Sequence, residues 1–432
     1  MKNFFKSKTF ISILASVLSI VAGLIIGFIL LIVFNPPYAL GGLKSIVTAG
    51  FSRADKLAKV LYQAAPLIMT GLSVGFAFKT GLFNIGATGQ YTVGAFCALV
   101  CGIQFQMPWW VCIIAAMIGG AVWGFIPGIC KALFNVNEVI TSIMFNWLGL
   151  FMVNLLLNNM PKMLADFWGA ANKDRTGALA SANPSAIIPK AGLDKLLGSN
   201  YMNISIFLTI IIAIIIYIIL EKRTFGYELK ACGYNKDASI YAGINAKRNI
   251  VLSMVIAGAL AGIGGGIYYL SGTAQYTIVK SLLTMGFNGI PVALLGASSP
   301  IGIIFAAIFI SYIQVGGEAL QPEYAKEIID IIIAVIIYLS AFSLLVKNLL
   351  GRFFKGDTSN VNDEGAAAIK AAPVAVPAGE KSGTGAGDSA GEPVGEPAGE
   401  PVDPIPDEDL DHGEKAVPVS DADVNNGEGG DQ

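Results

Sequence analysis

Residues 81–90 read GLFNIGATGQ and set Asn84, Thr88 and Gln90 among three glycines inside a long apolar region. Amides and hydroxyls donate and accept hydrogen bonds without carrying charge, and lipid can satisfy neither role. Two uses follow: a bond to a neighbouring helix, worth about 0.6–2 kcal/mol, or a contact to a neutral, hydrogen-bonding solute. In an unbroken helix Gly86, Gln90, Gly94 and Ala98 share one face, and Asn84, Thr88 and Tyr91 another. The small-residue face suits close helix packing and the Asn/Thr/Tyr face suits a polar pathway. Asn146 and Asn154, and later Asn288, stand in other apolar stretches and are candidates for the same pathway. For each Asn the helix-joining and the pathway readings both stay open.

Other chemistries lack their residues. The single histidine, His412, lies far from the apolar regions. Four of the five cysteines (Cys97, Cys101, Cys112, Cys130, Cys232) sit in apolar segments as small hydrophobes, with no further ligand type to complete a metal site. No nucleophile–base–metal set is visible, so neither an enzyme nor a cofactor is expected. No Asp, Glu, Lys or Arg falls at mid-depth in an apolar run, since Glu138 and Asp330 lie at run starts. Ion-coupled carriers usually keep such groups, though some bind sodium with carbonyls and hydroxyls alone. There is no GxxxxGK[ST] phosphate loop, so uphill transport would draw ATP energy from a separate subunit.

The elements that must position these residues are membrane spans. The 432 residues are 54% hydrophobic and 13% charged, with mean hydropathy +0.65; soluble domains carry roughly 25% charged residues. Apolar runs predict an all-α polytopic membrane protein with ten spans, at about 10–34, 60–78, 82–104, 108–130, 138–158, 203–220, 249–270, 286–298, 301–316 and 328–346. The eighth and ninth are short and parted by Ser-Ser-Pro, which reads as half-helices or one irregular pair. The first is read as a retained span rather than a signal peptide, because it ends in NPPY with no small-residue cleavage pattern. Lys and Arg before the first span, in 221–248 and after the last place both termini in the cytoplasm, as an even span count requires.

Three further patterns bear on mechanism. GLFNIG at 81–86 is echoed by GFNGI at 286–290. Either ten spans form two inverted five-helix halves, with paired Gly-interrupted segments about a midplane site, or Phe-Asn beside glycine recurs by chance in a glycine-rich chain. AGALAGIGGG at 257–266 aligns Gly258, Gly262 and Gly266 as a small-residue packing ladder. The basic segment 221–248 holds a short amphipathic stretch, 237–242, with Asn235 as N-cap and Gly243 as C-cap. It suits either a docking helix or a charged loop that only fixes topology.

Residues 1–356 therefore read as one transmembrane domain and 357–432 as a disordered cytoplasmic tail rich in Gly, Pro and Glu. From Asp357 onward 18 acidic and 3 basic residues give −15, and the total of −2 leaves the body at +13.

Taken in order, FNIGATGQ, NEVITSIMFN, TFGYELKACGYNKDASIYAGI, AGALAGIGGG and GFNGIPVALLG resemble the permease subunits of bacterial ATP-binding cassette (ABC) importers for ribose-type sugars, branched-chain amino acids and nucleosides, across most of 10–350. The FNIG…GQ form is most similar to the nucleoside branch, although Thr88 stands where that branch usually has an acidic residue. The resemblance implies an inner-membrane permease for a small neutral solute, most simply nucleosides. The alternatives are a simple sugar or a branched-chain amino acid in the same role, or an ion-coupled secondary transporter. It implies ABC ATPase subunits, a second permease subunit in a homo- or heterodimer, and a substrate-binding lipoprotein or periplasmic protein, with no nucleic acid. It places the ATPase coupling element on Asn235, Asp237, Ala238, Tyr241, Ala242 and Gly243. The pathway set is Asn84, Thr88, Gln90, Asn146 and Asn288; the packing set is Gly86, Gly94, Gly258, Gly262 and Gly266.

Overall fold

The computed structural model describes residues 8–341, and the expected tail lies outside them. Besides two short helical turns at Leu179–Ala182 and Leu193–Leu197, the helices are α1 (Lys8–Phe34), α2 (Ala39–Ser52), α3 (Ala54–Lys79), α4 (Ala87–Leu99), α5 (Trp109–Phe134), α6 (Glu138–Asn158), α7 (Ser205–Lys222), α8 (Thr224–Tyr234), α9 (Lys236–Tyr241), α10 (Ala246–Tyr269), α11 (Thr284–Phe287), α12 (Gly289–Leu295), α13 (Pro300–Glu318) and α14 (Lys326–Ala341). Among the described residues there is no strand, only two isolated antiparallel bridges. Six helices, α3, α5, α6, α7, α10 and α13, are each long and apolar enough to cross a bilayer. The chain is a multi-pass, all-α membrane protein.

Every predicted span has a helical counterpart among the described residues, but three features differ. The third does not begin at 82: residues 82–86 are irregular and α4 starts at Ala87, followed by a π-helical turn at Val100–Gln104. The eighth is broken at Asn288 into α11 and α12. The stretch 35–59, outside every predicted span, contains α2, whose Ile46, Ala49 and Gly50 are buried while Leu40, Val47 and Phe51 are exposed. A Cβ on Gly316 of α13 would lie 2.6 Å from the Ile46 carbonyl, and this close approach seats the helix.

The interior is built on α3 and α10, whose apolar windows are 89% and 72% buried, against 28% for α6 and 33% for α7. On α6 the division runs along the helix: Ser142, Asn146 and Gly149 are buried, and Ile143, Met144, Trp147 and Leu148 are exposed. Close packing on α10 depends on small residues, because a side chain on Gly258 or Gly262 would meet the backbone of Gly120 and its neighbours on α5. The partners correspond between halves: α4 and α5 pack against α10, as α12 and α13 pack against α3.

Residues 159–204 form a folded cap. Leu164 bridges Thr176, and Arg175 bridges Thr277. The Asn183 amide donates to the carbonyls of Gly102 at 2.9 Å and Met107 at 3.0 Å, tying the cap to the ends of α4 and α5. Asn154 belongs to this end of the molecule. Its amide donates to the Val279 carbonyl at 2.8 Å, and its Oδ1 accepts from the Tyr276 hydroxyl at 3.4 Å. Burial pushes that hydroxyl well above the ordinary tyrosine range, so it stays a neutral donor.

Candidate functional site

The segment 82–86 exists because α3 stops abruptly. Thr80 and Gly81 close its last turn through bonds to Ala77 and Phe78, and Leu82 N–H returns to the Ala77 carbonyl at 3.0 Å. Gly81 takes φ +72°, a left-handed conformation that suits glycine at a helix C-terminus. The chain then folds back along α3. By Asn84 it is level with Ser73, whose Oγ accepts from the Asn84 amide at 3.0 Å. The continuous-helix assumption therefore fails for this stretch. Asn84 precedes α4, and it turns toward Gln90 rather than occupying a separate face.

Asn84 and Gln90 form a reciprocal amide pair: Asn84 Nδ2 donates to Gln90 Oε1 at 2.8 Å, and Gln90 Nε2 donates to Asn84 Oδ1 at 3.1 Å. Asn146 of α6 serves the irregular backbone itself. Its Oδ1 accepts from Gly89 N–H at 2.8 Å and its Nδ2 donates to the Ile85 carbonyl at 3.1 Å. The start of α4 leaves Gly89 N–H without an intrahelical partner, the Ile85 carbonyl lies in the irregular segment before it, and in an apolar surrounding both need a side chain to satisfy them. All three amides are at most 1% exposed. Their geometry joins helices.

Hydroxyls provide a different group. Thr88 Oγ1, Tyr91 OH and Ser142 Oγ are buried and have no hydrogen-bond partner among the described residues. The backbone of α11 lies directly on Thr88: a Cβ on Gly286 would sit 2.6 Å from its Oγ1. One turn on, a Cβ on Gly289 would sit 2.7 Å from the Thr70 carbonyl of α3. The second Phe-Asn segment thus packs against Thr88 of α4 and Thr70 of α3. Asn288 stands half-buried at the break between α11 and α12, its side chain without a hydrogen bond among the described residues. The structure sorts the sequence-nominated set into three amides that hold one another or the backbone, and two residues, Thr88 and Asn288, with bonding capacity left. Sequence reasoning missed Ser73 and Ser142. Ser142 had a signal, since it lies one turn before Asn146 in NEVITSIMFN and shares its face.

The nominated packing glycines make the following contacts. Added Cβ atoms on Gly86, Gly94 and Gly266 would meet Ser142, the Gly262 backbone and Ala116 respectively.

At one end of the bundle the segment 221–248 forms two helices. α9 starts one residue before the expected stretch. Asn235 Oδ1 accepts from Ala238 N–H at 3.0 Å, and Gly243 takes φ +81° beyond the C-terminus. Asp237, Ala238, Tyr241 and Ala242 are exposed, Tyr241 at 93%, while Ser239 faces inward. The preceding α8 was not foreseen as a helix.

The family described as branched-chain amino acid transport system / permease component matches residues 56–341. The guanosine ABC transporter permease protein NupP of Bacillus subtilis is 35% identical over 350 residues, covering 79% of this chain and 97% of that protein. The nucleoside ABC transporter permease protein NupB of Lactococcus lactis is 36% identical over 350 residues, covering 78% of this chain and 93% of that protein. A second Bacillus subtilis protein, the guanosine ABC transporter permease protein NupQ, is 28% identical over 267 residues, covering 59% of this chain and 79% of that protein. No solved structure matches the chain. The match runs from α3 to α14 and takes in the buried polar centre and the α8–α9 segment alike, so the chain belongs to the family of branched-chain amino acid transport system permease components.

Proposed function

We propose that this chain is the permease subunit of an ABC importer that carries nucleosides across a bacterial plasma membrane. The observation that carries the reading is the extent of likeness to permeases named for guanosine and nucleosides, which aligns nearly their whole length. The centre of the bundle supports it. A nucleoside is neutral and rich in hydroxyl and amide-like groups, and Thr88, Tyr91, Ser142 and Asn288 offer uncharged donors and acceptors of the matching kind.

ATP hydrolysis comes from a separate subunit that docks on α9. Its exposed face around Asp237 and Tyr241, capped at both ends, is the socket. The cluster of Lys and Arg in 221–248 supports a cytoplasmic placement of that face, and with it cytoplasmic termini. One bacterium holds two proteins named as guanosine permeases that both resemble this chain, which supports pairing with a second, non-identical permease. A substrate-binding lipoprotein or periplasmic protein delivers the solute on the opposite side.

Uptake of radiolabelled guanosine by cells expressing the complete transporter tests the substrate, with ribose, leucine and other nucleosides as competitors. Saturable uptake blocked only by nucleosides is expected, and competition by ribose or leucine instead would reassign the substrate. The purified chain alone in liposomes under an ion gradient tests the energy source. No accumulation is expected without the ATPase, and accumulation there would make this a secondary transporter.

A further inference from the structure

The end of α8 touches the turn that opens the polar segment. A Cβ on Gly233, in the last turn of α8, would lie 2.6 Å from the Lys79 carbonyl and 2.9 Å from Gly81 N. A Cβ on Gly81 would lie 3.1 Å from Gly233 Cα. This is backbone against backbone, with no side chain between to absorb a displacement.

Both sides of the contact are held. On one side, Ser239 Oγ of α9 donates to the Lys236 carbonyl at 2.6 Å and lies 3.5 Å from Cys232 Sγ of α8. Asn249 of α10 donates to that sulfur at 3.8 Å and to Glu228 Oε2 at 3.2 Å. Thus Asn249 bonds the start of α10 to α8, and α9 lies against α8 at Cys232. On the other side, Thr80 Oγ1 pairs with Ser253 Oγ at 2.8 Å, and Asn84 and Ile85 are tied to Ser73, Gln90 and Asn146. Between the two lies Gly81, a single left-handed residue able to take up a rotation.

We infer that Gly81 and Gly233 are positioning residues for transport: through their backbone contact, displacement of α8 and α9 reaches residues 82–86 and so moves Thr88 relative to α11. The inference rests on the docking of the ATPase at α9 proposed above. It adds the route from that docking face to the polar centre, which runs through the α3–α4 turn and not only through the long helices.

Two measurements on the complete transporter in nanodiscs test it. The first uses the wild type: amide hydrogen exchange with and without the ATPase, and with and without a non-hydrolysable ATP analogue. Residues 224–242 should be protected by the ATPase, and residues 81–86 should change exchange when nucleotide binds. The second counts substrate moved per ATP hydrolysed in Gly233→Ala. The ratio should fall by about fivefold or more, in the range of typical coupling energies, with the ATPase bound at wild-type stoichiometry. Exchange at 224–242 that ignores the ATPase overturns the docking reading and this route with it. Nucleotide-dependent exchange confined to 224–242, or an unchanged ratio in Gly233→Ala, overturns the route alone. If Gly233→Ala does not assemble, the wild-type exchange decides.

Discussion

Asn84 and Thr88 are four residues apart and both fully buried, yet their bonding separates them. Asn84 makes three side-chain bonds, to Ser73 and Gln90. Replacing it with Leu leaves the Gln90 amide unpaired in an apolar interior, at a cost of about 1–2 kcal/mol. We expect Asn84→Leu to lower the melting midpoint in detergent in step with the loss of uptake. A variant that melts like the wild type but does not transport would return Asn84 to the pathway. The Thr88 hydroxyl makes no bond among the described residues, so the near-isosteric Thr88→Val forfeits nothing in the folded chain and should melt at or above the wild-type midpoint. If the hydroxyl meets the solute, losing one neutral hydrogen bond, about 1 kcal/mol, raises KM for uptake by about fivefold. An unchanged KM would remove Thr88 from the pathway. The sequence names both residues, but not this difference. Whether an amide is satisfied depends on Ser73 and Gln90 reaching it, and that follows from the fold-back at Gly81 rather than from any helical spacing.

The elements differ in how far the sequence reveals them. Long apolar runs such as Trp109–Phe134 declare themselves, because a bilayer demands length and lipid-facing side chains. The start of α4 was hidden, since its apolar pattern continues through a segment whose backbone is not helical. α2 and α8 were hidden for the opposite reason: each is short and half-exposed, and each is held by close approaches, Ile46 to Gly316 and Gly233 to the α3–α4 turn, that no local pattern encodes. α9 was legible because caps are local chemistry. Asn235 accepts from Ala238 N–H, and Gly243 adopts the conformation that ends the helix. Gly243 has open space around it, so a substitution there acts through its φ alone. A β-branched residue at +81° costs about 1–2 kcal/mol, enough to fray a helix of six residues. Gly243→Val should therefore leave the chain inserted and folded while reducing ATPase co-purification. Undiminished co-purification, with uptake intact, would count against docking at α9.

At the scale of the molecule the two halves are interlocked rather than adjacent. Each central helix is enclosed by the other half: α10 of the second by α4 and α5 of the first, and α3 of the first by α12 and α13 of the second. The close approaches follow this plan. Gly94 and Gly120 of the first half meet Gly262 of the second, and Gly71 of the first meets Val292 and Ile303 of the second. Neither half can bury its own central helix, and a helix rich in glycine has little to hold it in lipid without those partners. The interlock is not legible in the sequence, because helix contacts between distant segments leave no mark on local composition. The cap offers a place to test the consequence. Gly198 lies between α6 and α7, in a loop where its surroundings are open, and such loop tips tolerate breaks. A chain divided after Gly198 puts five spans in each fragment. Expressed alone, either fragment should be degraded or aggregate, whereas the two co-expressed should co-purify as one species and support uptake. A fragment that runs alone as a monodisperse, helical species would show that each half folds around its own core, and would overturn the interlock.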